Sequence, residues 1–190
     1  MKYHIGVLVE KSLISIHGWS RDSEVMRLHD LIEDMGKEIV RRESPTEPGK
    51  RSRLWSHKDI KEVLQENKGT GKIEIICMNL CSFGEEVEWD GNGFKKMKNL
   101  KTLIIKSDCF SKGPKHLPNT LRVLEWWRYP SKDWPHNFNP KQLAICNLPQ
   151  SSLTSLELVP FYEKRLVNLT SLTLDECDSL TEIPDSREFS

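Results

Sequence analysis

The chain has 190 residues, 37% hydrophobic and 29% charged, which allows a packed core and argues against wholesale disorder. Its 28 basic and 28 acidic side chains cancel, so no global charge draws it toward nucleic acid or anionic lipid. Five scattered cysteines behind no signal peptide set the expectation of a reducing intracellular compartment, and no apolar run approaches the ~20 residues of a membrane span.

In chain order, residues 13–17 and 24–28 alternate as two strands, joined by the polar loop 18–23. Leu28, Leu31, Ile32, Met35 and Ile39 then fall on one face of a helix. Asp30 followed by Glu33 resembles a capping box and places the helix start near Asp30. Gly36 inside it costs about 1 kcal/mol, which packing must offset. Prolines 45 and 48 with Gly49 close the segment, and Ile60, Val63 and Leu64 mark a second, shorter helix. Helix, hairpin, helix is the outline of a winged-helix unit, with its first helix cut short by Met1 and the natural domain expected to start earlier. Between Arg41 and Lys61 the basic residues Arg41, Arg42, Lys50, Arg51, Arg53, Lys58 and Lys61 outnumber the acidic Glu43, Glu47 and Asp59. A solvated face is the plain account of this run; a basic collar that meets other domains is the sharper one. Gly69-Thr70-Gly71-Lys72 imitates a phosphate-binding loop, but such a loop needs glycine where Glu66 stands and Ser or Thr where Ile73 stands.

From residue 73 a frame of the form L-x-x-L-x-L-x-x-N/C repeats, loosely met at its last position. The copies are Ile73-Ile76-Met78-Cys81, Leu100-Leu103-Ile105-Asp108, Leu121-Leu124-Trp126-Tyr129, Leu143-Cys146-Leu148 and Leu169-Leu172-Leu174-Cys177. Starting at 73, 100, 121, 143 and 169, they lie within the ~20–29-residue period of leucine-rich repeats. Leu153-Leu156-Leu158-Phe161 also fits but leaves too little chain for a further turn, and is assigned to the return arc. Pro118, Pro130, Pro135, Pro140, Pro149 and Pro184 fall outside the frame's strands, where a residue without an N–H is tolerated. Core leucines Leu103, Leu124 and Leu172 are expected to be buried. The alternate residues then face outward on a concave surface: Ile75, Cys77, Asn79; Thr102, Ile104, Lys106; Val123, Glu125, Trp127; Ile145, Asn147; Ser171, Thr173, Asp175. Of these, Ile104, Val123, Trp127 and Ile145 would form an exposed apolar band. An acidic tail begins at Asp175, and the missing capping repeat at Ser190 suggests truncation. Cys77 and Cys81 lack a second ligand pair for zinc, so no metal site is assigned. No nucleophile has an identifiable histidine–acid pair, so no enzyme activity is expected. The sequon at Asn168 is attributed to chance.

The run Met26-Arg27-Leu28-His29-Asp30-Leu31-Ile32-Glu33-Asp34-Met35-Gly36-Lys37-Glu38-Ile39-Val40 resembles the "MHD" region of plant TIR-type nucleotide-binding leucine-rich-repeat disease resistance proteins. Glu47-Pro48-Gly49-Lys50-Arg51-Ser52-Arg53-Leu54-Trp55, His57-Lys58-Asp59-Ile60 and Leu121-Arg122-Val123-Leu124-Glu125-Trp126 with Tyr129-Pro130 extend the match over essentially the whole chain. The resemblance implies an α/β chain: a partial winged-helix module with its connecting helix over 1–72, and four to five repeats of a leucine-rich-repeat solenoid over 73–190. It implies that the winged helix restrains an ADP-bound off state, with His29 as the nucleotide contact, Asp30 its support, and Leu28 in place of the usual methionine. ADP or ATP would be held only in a full-length parent, and the chain itself would carry no cofactor. The partners implied are a pathogen effector or host guardee, or other domains of the same receptor, with no membrane. The location implied is the cytoplasm, with the nucleus second. The alternative is a stand-alone repeat scaffold or a DNA-binding winged-helix protein; the basic residues lie mostly in a Pro/Gly loop, which disfavours DNA.

Overall fold

A computed structural model describes residues 7–20, 23–79, 86–155 and 168–181. They fall into two compact units, Met1–Pro45 and Thr46–Ser190.

In the first unit β1 (Ile14–Ser20) pairs antiparallel with β2 (Ser23–Leu28), from Ile14 opposite Leu28 to Ser20 opposite Ser23, with a register shift between Gly18 and Ser20. Helix α1 (Asp30–Glu43) follows directly. Acidic Asp30 and Glu33 in its first turn and Arg41 and Arg42 in its last complement the helix dipole. Glu38 adds an i,i+4 pair to Arg42 at 2.9 Å. Ser44, extended because Pro45 follows it, ends the helix and donates its N–H to Arg41 O. The helix period is as expected, but its buried line is not. Leu31, Met35 and Ile39 are all about two-thirds exposed and Leu28 is half exposed, while Val40 is buried and Ile32 half-buried. Among the described residues of this unit nothing lies over the Leu31–Met35–Ile39 stripe, and the hairpin with the helical residues 7–10 has too little surface to cover both faces of α1.

The second unit opens with a 3-10 turn at Pro48–Lys50, strand β3 (Arg53–Leu54) and helix α2 (His57–Gln65). Ser56 Oγ caps α2 by accepting from Asp59 N–H. Then come β4 (Ile75–Met78), β5 (Thr102–Ile105), β6 (Val123–Trp126), β7 (Ile145–Asn147) and β8 (Ser171–Thr173). All six strands form one parallel sheet in chain order, β3-β4-β5-β6-β7-β8. Each of the five copies of the repeat frame thus contributes one short strand, β4 to β8, to the stack.

Register puts Leu54, Ile76, Leu103, Leu124, Cys146 and Leu172 in one row across the sheet. All but the last are buried in a single core. Aromatic residues of the return segments interlock with one another and with Trp126 at the end of β6. Trp89 meets Phe94 edge-on at 5.6 Å, Trp126 meets Tyr129 at 5.3 Å, and Trp134 meets Phe138 at 5.3 Å.

Two expectations need correction. The division at residue 72 does not match the compact units, which separate after Pro45. Residues 46–72 pack with the repeats because β3 pairs with β4 and the apolar face of α2, Ile60, Val63 and Leu64, is fully buried in the repeat core. This β–α element covers the first repeat, whose core edge would otherwise face water. Leu172 is 41% exposed, not buried. A solenoid residue receives half its cover from each neighbouring repeat, and among the described residues β7 alone flanks β8. Leu153 is buried in the core, whereas the rest of its frame, Leu156, Leu158 and Phe161, lies outside the described residues, as do Cys81 and most of the acidic tail.

Candidate nucleotide-contact and recognition sites

The short connection between β2 and α1 places the motif residues. Leu28 ends β2, His29 is the N-cap, and Asp30 is the first helical residue. The cap is therefore His29, not the capping box at Asp30. His29 has extended backbone (φ −63°, ψ 136°), and its Nδ1 accepts from Leu31 N–H at 3.2 Å. Its carbonyl accepts the first helical N–H groups, from Ile32 and Glu33, and its own N–H donates to Leu13 O at 2.9 Å. With Nδ1 as acceptor, the neutral ring carries its proton on Nε2. All three motif side chains are exposed.

On the sheet, the strands alternate buried and half-buried residues, so the outward side chains form registered rows. One row runs Ile75–Thr102–Val123–Ile145–Ser171, the next Cys77–Ile104–Glu125–Asn147–Thr173. Lys106, Trp127 and Asp175 lie just past their strand ends. Register thus aligns the nominated residues of these two rows, while the nominated Asn79 lies just past the end of β4. The expected apolar band is narrower than predicted: Trp127 and Ile145 are exposed, 41% and 39%, while Ile104 and Val123 are half-buried between their neighbours. A polar knot fixes the middle. Glu125 Oε1 accepts from Trp127 Nε1 at 2.9 Å and pairs with Lys106 Nζ at 3.3 Å, while Lys106 stands 5.9 Å over the Trp127 ring. Burial pushes the Cys77 thiol up, with Lys106 opposing and Glu125 adding to the shift. Cys77 is therefore a weak nucleophile.

Beyond the strands lies a ladder that the repeat frame does not announce. Arg128 donates to Asp108 at 2.7 Å and to Gln150 at 2.9 Å, and Gln150 donates to Glu176 at 2.5 Å. Arg128, Gln150 and Glu176 all have left-handed backbone (φ 54°, 57° and 56°). Each sits four residues after a core-row position, Leu124, Cys146 and Leu172. A long polar residue at that spacing is the signal that could have found it. One position further, Cys177 Sγ donates to Leu148 O at 3.1 Å and lies 3.2 Å from Ser151 Oγ, the role that the frame's last residue should play.

Other sequence candidates are structural. Gly69 packs against Met97, where a Cβ would meet Met97 Cε at 2.4 Å, and Thr70 Oγ1 donates to Gly49 O at 2.7 Å. The phosphate-loop mimic is thus a packing turn. Much of the basic collar is internally neutralised, Arg51 by Asp59 at 2.7 Å and Lys50 by Glu47 at 2.6 Å. A shallow depression lined by Asn67, Asp90, Asn92, Lys95 and Lys96 holds Asp90 below the usual carboxylate range through hydrogen bonds, chiefly from the Asn92 side chain and backbone. Among the described residues no group of His, Cys, Asp and Glu could hold a metal ion, and no helix is long and apolar enough to cross a membrane.

Residues 1–44 match the family model of the Roq1-like disease resistance protein winged-helix domain. Over 97% of its length the chain is 32% identical to TMV resistance protein N of Nicotiana glutinosa, covering 15% of that protein. It is 32% identical over 96% of its length to disease resistance protein RPS6 of Arabidopsis thaliana and 31% identical over 97% to disease resistance protein TAO1 of the same plant, covering 18% and 16% of those proteins. The chain thus spans less than a fifth of the length of these relatives. No solved structure matches it.

Proposed function

We propose that this chain, which is similar over nearly its whole length to plant disease resistance proteins and matches their winged-helix model at residues 1–44, joins a nucleotide-sensing restraint to a recognition surface of an immune receptor of the TIR-type nucleotide-binding leucine-rich-repeat class. In this reading the winged-helix unit favours an ADP-bound resting form, through the outward Nε2–H of His29 with Asp30 and Leu28 beside it. The sheet face from Ile104 to Asp175 meets a pathogen effector, a host protein that the receptor guards, or another domain of the same receptor. ATP in place of ADP marks the active form of the whole protein.

The observation that carries the reading is the tether on His29. Because Nδ1 is bound to Leu31 N–H, the imidazole is oriented by the helix it caps, and a ligand on Nε2 is coupled to the position of α1. A contact made only in the closed form shifts the population toward that form, and its removal releases the protein. The test is expression in leaves of a full-length receptor carrying this segment. His29→Asn, which keeps a capping oxygen while removing the imidazole, and Asp30→Val should each give cell death without a pathogen. Silence from both variants at normal protein levels would overturn the restraint.

A further inference from the structure

The outer face of the sheet between β6 and β8 has an uneven charge balance. Lys106 is matched by Glu125 at 3.3 Å and Arg128 by Asp108 at 2.7 Å. Among the described residues Glu176, by contrast, is held by the neutral amide of Gln150, and Asp175 stands exposed past the end of β8. The margin at the strand ends therefore carries surplus negative charge among the described residues. Arg122, bonded to the neutral Gln142, leaves a positive charge at the opposite margin, before β6. Between the margins lie aliphatic Val123 and Ile145 in register, and the Trp127 ring. At the centre lies the half-buried polar side chain of Asn147.

From these features we infer that this face is a subsite for an arginine side chain presented by a protein partner. The inference rests on the sheet face being the recognition surface proposed above, and names what it recognises. An arginine stem is about as long as the ~7 Å between successive same-face residues of a strand. With its methylenes on Ile145 and Val123, its guanidinium therefore reaches the level of Asn147. The planar fork supplies several donors at once, so it can turn paired N–H groups toward the Asp175 carboxylate. The rim of exposed Trp127 offers a π face, a surface that the chain's own Lys106 already uses. Lysine, with a point charge and no planar face, serves this geometry less well. An acidic side chain would meet the carboxylates of Asp175 and Glu125, both unfavourable.

The experiment uses the 190-residue chain, with the Trp127 indole N–H followed by NMR and assigned through Trp127→Phe. The probes are N-acetyl-arginine methylamide, its neutral near-isostere N-acetyl-citrulline methylamide, and N-acetyl-glutamate methylamide. The arginine compound should shift the Trp127 resonance saturably at millimolar concentration, and citrulline should bind about fivefold more weakly, the worth of one exposed cation–π contact. Asp175→Asn should weaken arginine binding by about threefold, as expected for an exposed ion pair, while leaving the other tryptophan resonances in place. Equal binding of citrulline or glutamate at Trp127, or arginine binding unchanged by Asp175→Asn, would overturn the arginine assignment and leave the face as a ligand surface. No saturable shift from any probe would overturn the assignment and the recognition surface together.

Discussion

At His29 the ring nitrogen that accepts from Leu31 N–H is closed to any ligand, so a mutation there removes a helix cap as well as an outward N–H. Loss of an N-cap acceptor costs about 1 kcal/mol, and asparagine restores it. His29→Ala should therefore lower hydrogen-exchange protection of the Leu31 and Ile32 amides roughly fivefold, and His29→Asn should not. Equal protection in all three proteins would show that the cap contributes nothing. A second residue-scale prediction concerns alkali. Burial pushes the Cys146 thiol from 9.0 up to about 12, and the Tyr129 hydroxyl is raised as well, chiefly by burial with Asp133 adding to it. Both groups ionise more readily in the unfolded chain, so the stability they contribute is complete below about pH 8.5 and lost as pH rises toward 12. Each fully differential group adds a slope of about 1.4 kcal/mol per pH unit. Urea midpoints should fall between pH 8.5 and 10 in the parent protein, and less steeply in Cys146→Val. Parallel slopes for the two would mean that Cys146 titrates alike in both states.

Within the repeat elements, position in the stack decides the energetic worth of a leucine more than its place in the motif. Leu103 and Leu124 are fully buried between strands on both sides, and Leu172 holds the same core-row position on β8 with 41% of its surface exposed. Leu103→Ala or Leu124→Ala should cost about 2–5 kcal/mol, the range for buried leucine truncation. Leu172→Ala should cost about 1 kcal/mol, since much of its area never leaves water. Denaturant unfolding of the three variants ranks them, and a Leu172→Ala loss equal to that of Leu124→Ala would contradict the exposed edge. This contrast shows what the sequence could and could not reveal. The rows from Ile76 to Cys146 were legible because a strand repeated at a fixed period announces its own burial. The exposure of Leu172 was not, because a motif is blind to which neighbour covers it. The β3–α2 element that covers the first repeat was illegible for a different reason. Arg53–Leu54 is too short to show alternation, and α2 has the same helical pattern whether it packs on a hairpin or on a repeat. The apolar stripe of α1 misled in the opposite direction, for a 3.6-residue period identifies a face and leaves its cover unspecified.

Across the whole molecule, architecture was more legible than chemistry, because the architecture depends on spacing and the chemistry on groups brought together. The registered sheet rows followed from the repeat. The Lys106–Glu125–Trp127 knot and the Asp108–Arg128–Gln150–Glu176 ladder join residues from separate repeats, and pairing them required coordinates. For the nucleotide, the same distinction predicts how this chain behaves alone. Gly69, Thr70, Gly71 and Lys72 are committed to a packing turn, with Gly69 against Met97, Thr70 on Gly49 O and Gly71 O accepting from Asn99. They offer no backbone cradle for phosphate. The start of α1 already has its Leu31 N–H satisfied by His29 Nδ1, and Asp30 and Glu33 in that first turn repel an anion. What remains is one outward imidazole N–H. A single polar contact in water is worth about 0.5–1.5 kcal/mol net, against several kcal/mol to immobilise a nucleotide. Titration calorimetry of the 190-residue chain with ADP and magnesium should therefore show no saturable heat in the micromolar range. A micromolar Kd retained in His29→Asn would place the nucleotide elsewhere on the chain, and one lost in that variant would mean that His29 commands far more binding energy than a single exposed contact supplies.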